Sequence, residues 1–135
     1  MRKRIKMLIL CLLSLILGVI IYTYFRPNTY IGNILSKILH IRKVNSNSFI
    51  VLSFYFPDYL WAFSLCSGLF AIYPLKQKLI YLWGIVTFIY GVLWEILQYY
   101  SIVSGTFDIV DIFMYFAAAS SVVTIFYYIN KENKQ

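Results

Sequence analysis

Long runs of this chain carry no charge at all, and that limits it more than any other feature. Met7 to Phe25 contains no charged residue, and Leu79–Tyr100 and Phe107–Ile129 carry between them only Glu95, Asp108 and Asp111. In a bilayer no water is available to satisfy backbone N–H and C=O groups, so a run of about 20 apolar residues has one stable form, a transmembrane helix. The charge content agrees, at 13% where soluble domains carry about 25%. A single all-α membrane domain covering residues 1–135 is expected, its core made by helices packing in lipid.

The first run follows Arg2, Lys3, Arg4 and Lys6. It exceeds the apolar core of a signal peptide, about 7–15 residues, and no small-residue cleavage pattern follows it. It is expected to remain as a first helix over 7–25. After Arg26-Pro27-Asn28, residues 29–43 place Tyr30, Ile31, Ile34, Leu35, Ile38, Leu39 and Ile41 at helical spacing among polar residues. That pattern predicts an amphipathic helix lying in the interface. Pro57 suits the first turn of a helix and not its interior, so a second helix is expected over 57–73, capped by Asp58. The third is expected over 79–100 and the fourth over 107–129.

Orientation follows from the Lys and Arg residues in short loops. With the N-terminus inside, Arg2, Lys3, Arg4, Lys6, Lys76, Lys78, Lys131 and Lys134 face the cytoplasm, and Arg26, Lys37, Arg42 and Lys43 lie outside. Both termini are then cytoplasmic. The net charge of +7 comes from these segment ends, so lipid headgroups and not nucleic acid are the expected partner. Cys11 and Cys66 sit inside apolar runs without a nearby His or third Cys; packing, and neither a metal nor a disulfide, is their expected role. No cofactor is implied.

Four of the five acidic residues, Asp58, Glu95, Asp108 and Asp111, lie in or at the edge of the apolar runs. A carboxylate in hydrocarbon costs a few kcal/mol on insertion scales, so each must face protein or a wet cavity. Alternating helix directions bring all four to one leaflet, the outer one, together with Arg26. Gly84, Gly91, Glu95 and Gln98 fall on one helical stripe, as do Asp108, Asp111 and Tyr115, and Asp58, Trp61, Leu65 and Gly68. A polar pocket of Arg26, Asp58, Trp61, Glu95, Gln98, Asp108, Asp111 and Tyr115 is expected. Arg26 would pair there with Asp58, Asp108 or Asp111, and Glu95 would face Asp111.

Pro57-Asp58-Tyr59-Leu60-Trp61-Ala62-Phe63-Ser64-Leu65, then Glu95-x2-Gln98, then Gly105-Thr106-Phe107-Asp108-x2-Asp111, resembles the VanZ-like family of small bacterial membrane proteins. Four residues after Asp111, where that family usually has Asn, stands Tyr115, and Ala118-Ala119 stands where a Gly usually follows. The resemblance implies a multi-pass envelope protein linked to resistance to the glycopeptide teicoplanin. Two function classes fit the residues. One is a binding or envelope-modifying protein that engages a lipid-linked or peptidoglycan-related ligand. The other is a small transporter or intramembrane enzyme using the carboxylates for cation or proton binding or acid/base chemistry.

Overall fold

The structure, a computed structural model, describes residues 2–25, 54–73 and 80–132, with Ile34 and Lys37 between them. Their regular structure is helical: α1 (Arg2–Phe25), α2 (Phe56–Ile72), α3 (Tyr81–Tyr99) and α4 (Ile109–Glu132). Three of these, α1, α3 and α4, are long and apolar enough to cross a membrane, and α2 is apolar but shorter. The molecule is a membrane protein. The expected interfacial helix over 29–43 and the segment holding Arg26 lie outside the described residues, apart from Ile34 and Lys37.

The helix ends are set by local chemistry more than by where apolarity stops. Pro57 sits in the first turn of α2 as expected, but the helix begins at Phe56 with Tyr55 at the N-cap and no side-chain cap bond. Asp58 is therefore inside the first turn, which corrects its expected capping role. Asp108 is the cap instead: its Oδ1 accepts the Val110 N–H at 2.9 Å, so α4 begins at Ile109 and not at 107. α1 extends back through its basic residues to Arg2, and α4 forward to Glu132, because solvated charged residues continue a helix at little cost. α3 stops by a turn in which Ser101 N–H bonds Gln98 O and Ile102 N–H bonds Leu97 O, both at 2.9 Å. This is a Schellman closure, and it places Ser101 at φ 56°.

α4 packs against both α2 and α3, while α1 packs chiefly against α2. Small residues set these approaches. A methyl group on Gly84 would lie 2.7 Å from Val123 Cγ2, and one on Gly68 would lie 3.3 Å from Cys11 Sγ. Ser64 Oγ donates to Cys11 O at 3.0 Å across the α1–α2 contact. Met7, Cys66, Phe70, Ile80, Val122 and Phe126 form the main core, with the Phe70 and Phe126 rings stacked at 4.2 Å. Lys3 Nζ donates to Asn130 Oδ1 at 2.8 Å, so the start of α1 and the end of α4 share one end of the bundle. Outward faces are apolar: Leu13, Ile16, Ile85, Ile89, Leu93 and Phe113 are all exposed. A protein with this exterior is solvated by lipid.

Gly84→Val should lower stability by about 1–3 kcal/mol through overpacking against Val123. Ile89→Ala, on the exposed face, should change it little. Thermal midpoints of the purified protein in one detergent compare the two.

Candidate functional site

One buried carboxylate organises the end of the bundle opposite the Lys3–Asn130 contact. Gly84, Thr87, Gly91 and Glu95 form the buried stripe of α3, and Glu95, four residues before the helix end, is 1% exposed. Tyr115 Oη donates to Glu95 Oε1 at 3.0 Å, and the Asp108 N–H donates to Oε2 at 3.0 Å. Both carboxylate oxygens are thus held, one by a side chain of α4 and one by the backbone leading into it.

Gly91 makes this reach possible. It lies one turn before Glu95, and a side chain there would collide with the Tyr115 ring. With only hydrogen at position 91, the ring passes flat against α3 and its hydroxyl arrives at the carboxylate. Asp108 works in two directions, its N–H on Glu95 and its side chain capping α4. Asp111 N–H donates to Asp108 O at 3.2 Å in the same turn. Asp58, Glu95 and Asp111 all lie near the Tyr115 hydroxyl. Tyr55, just before α2, faces this group too: the Asp108 charge first, then desolvation, a hydrogen bond to Asp108 and the Asp111 charge, raise its phenol above the usual 10.

Gln98 has a different part. With its amide turned to suit its neighbours, it accepts from Trp94 Nε1 and donates to Thr106 O, both at 3.1 Å. It also fills the space beside Gly105, whose φ of 141° suits glycine. Gln98 fastens the α3–α4 loop to α3 and does not meet Glu95 in any of these bonds. Trp61, expected in the pocket and on one stripe of α2, is 43% exposed, as its ring leans toward α1 over Gly18 and Tyr22. Leu65 on the same stripe is exposed as well.

Between α2 and α3 a groove of about 860 Å³ opens, with Tyr115 at the back and Asp58 in its wall. Two aromatic pairs flank it: Tyr22 with Trp61, ring centroids 6.0 Å apart, and Tyr90 with Trp94, 6.4 Å apart. The structure so brings Asp58, Trp61, Gln98 and Tyr115 to the groove and sets Glu95, Asp108 and Asp111 behind and beside it. Arg26 lies outside the described residues. Tyr22, Tyr90 and Trp94 were not singled out as site residues by sequence, although Tyr90, Trp94 and Gln98 repeat at intervals of four, a single helix stripe. Among the described residues no three His, Cys, Asp or Glu side chains gather to hold a metal ion.

Tyr115→Phe removes the donor to a buried carboxylate oxygen and should cost about 1–3 kcal/mol. Glu95→Gln should cost less. Its amide oxygen can accept from Asp108 N–H, and its NH2 can donate to a Tyr115 hydroxyl with its proton rotated away. Chemical or thermal unfolding of the two variants in one detergent gives the order, and equal losses would mean the hydroxyl bond is not what holds Glu95.

No family model, curated protein or solved structure matches the chain.

Proposed function

We propose that this chain is a multi-pass protein of the bacterial cytoplasmic membrane and a divergent VanZ-like protein. In this reading it engages an amphiphilic envelope component, lipid-linked or peptidoglycan-related, through the groove between α2 and α3. The groove carries the proposal. It joins an apolar, aromatic wall to a carboxylate at one end of a bundle whose exterior is lipid-facing, and a concave apolar site with a few placed polar groups is the usual form of a small-molecule site. In the same reading all four helices cross. The Lys3–Asn130 contact supports an even number of crossings, and the basic residues favour cytoplasmic termini. Asp58 and Glu95 then belong to the outer leaflet. A glycopeptide-resistance role would follow from the VanZ-like resemblance.

The competing transporter or enzyme reading needs the carboxylates to exchange a proton or bind a cation, and Glu95 is the most buried of them. Both its oxygens are already engaged by fixed donors, which favours a structural clamp beside a binding groove.

Arg4→Cys and Lys131→Cys should behave alike toward a membrane-impermeant thiol reagent in intact cells, in a Cys11→Ser, Cys66→Ser background, and both should be protected. Opposite reactivity at the two sites would remove the four-crossing topology.

Lipid-resolved mass spectrometry of the purified protein should find bound amphiphile. Leu65→Trp, which fills the groove from its exposed wall, should lose it without loss of helix content. Glu95→Gln should retain it, along with any glycopeptide-susceptibility phenotype of the wild-type chain. Undiminished amphiphile in Leu65→Trp would overturn the groove reading, and loss of phenotype in a folded Glu95→Gln would transfer the function to the carboxylate.

A further inference from the structure

We propose that the end of the bundle where α1 begins and α4 ends holds the headgroup of an anionic phospholipid, seated on Lys3 at the seam between those two helices. The seat is separate from the groove and does not rest on the reading of it. The first observation is position. Met7, Leu10 and Ser14 form an inward stripe of α1, and Lys3 continues that stripe one turn outward. Ala119, Val123 and Phe126 form one on α4, and Asn130 continues it. The two stripes meet where Lys3 Nζ donates to Asn130 Oδ1 at 2.8 Å. A lysine at the rim of a lipid-facing bundle ordinarily lets its ammonium swing out into headgroups or water. Here it is fixed at a helix seam, where the core stops.

The second observation is charge. The acceptor is a neutral amide, so the bond positions the ammonium without cancelling its charge. Arg4, Lys6 and Lys131 lie within about one turn of the contact, and all three are exposed. Of the five acidic residues in the chain only Glu132 belongs to this end. Asp58, Glu95, Asp108 and Asp111 stand at the opposite one. Four cations against one acid favour an anion wherever the Glu132 carboxylate points. Lysine carries three donors and the Asn130 bond uses one, so a phosphate oxygen can take another.

The third is what lies beside the cations. Ile5, Leu8 and Ile9 of α1 and Tyr128 of α4 are exposed. A phosphate at Lys3 can therefore lay its acyl chains along apolar helix surface. A soluble anion would gain the charge contact alone. Both halves of a phospholipid are matched here, and those of a free phosphate are not.

The test uses the full chain, delipidated in detergent and offered an equimolar mixture of phosphatidylglycerol and phosphatidylcholine with identical acyl chains. Native mass spectrometry reads the bound species. Phosphatidylglycerol should be enriched by about fivefold, the scale of one basic residue beside an anionic headgroup. Lys3→Gln should remove most of that enrichment, and Lys3→Arg should keep it. Arg4→Gln removes the same charge about 100° round the helix and should leave most of it. Asn130→Ala should lower the enrichment with no change in charge. Asn130→Asp, which still holds Lys3 but neutralises it, should abolish the enrichment. Leu65→Trp should leave it in place, because the groove lies at the other end. Circular dichroism checks that each variant is folded. Equal uptake of both lipids by the wild type overturns the proposal. So does an equal loss in Lys3→Gln and Arg4→Gln, which would leave a diffuse field of basic residues and no seat. Undiminished enrichment in a folded Asn130→Ala or Asn130→Asp overturns it as well. Displacement of the bound phosphatidylglycerol by excess inorganic phosphate would sink the lipid as the ligand.

Discussion

The buried end of this bundle depends on one carboxylate with two donors. Glu95 lies where an unsatisfied charge would be expensive, and its oxygens are met by Tyr115 Oη and Asp108 N–H at 3.0 Å each. The donors lie seven residues apart, one in the second turn of α4 and one just before its first residue. Glu95 therefore fixes the height and the rotation of α4 against α3 together. Shifting α4 by one residue would carry Tyr115 off Gly91 and leave the carboxylate facing apolar side chains. A polar group in the core of a bundle can specify register in this way even where it adds little net stability.

The rest of the packing follows from what that register permits. Gly91 and Gly84 are seven residues apart, two turns, and each receives a side chain of α4, Tyr115 and Val123. The α1–α2 contact uses the same device at Gly18, Ser64 and Gly68. Lipid tails are as apolar as leucine, so helices gain little from hiding leucine from them, and close fit becomes the main source of association. α4 packs against both α2 and α3, and those two helices touch each other less extensively. The groove opens between them, lined by residues of both.

Much of the architecture was legible in the sequence because bilayers admit so few backbone solutions. The order of helices, Pro57 in a first turn and the α3 stripe through Gly84, Gly91 and Glu95 could all be read from spacing. Roles within the acidic group could not. Asp58 and Asp108 both stand near helix starts in sequence, yet only Asp108 caps, because which residue becomes the N-cap is decided by where the preceding chain turns. Tyr115 could be read as one group that satisfies the carboxylates, and it does bond Glu95, but the second bond of Glu95 goes to the Asp108 backbone. A backbone donor leaves no trace in residue identity. Gln98 shares the Glu95 stripe, but the loop returning past Gly105 gave it nearer partners in Trp94 and Thr106.

The shortness of α2 has its own effect on the surrounding lipid. Its 17 residues rise about 25 Å, against a hydrocarbon core of about 30 Å, and its neighbours α1 and α4 have 24 residues each. If α2 crosses as proposed, the bilayer beside it must thin or its headgroups must dip by about 5 Å on that side alone. The groove opens along this same helix. Lipids there would already be drawn inward and partly parted from their neighbours, so the strain of hydrophobic mismatch would fall on the molecules best placed to leave the bilayer for the protein.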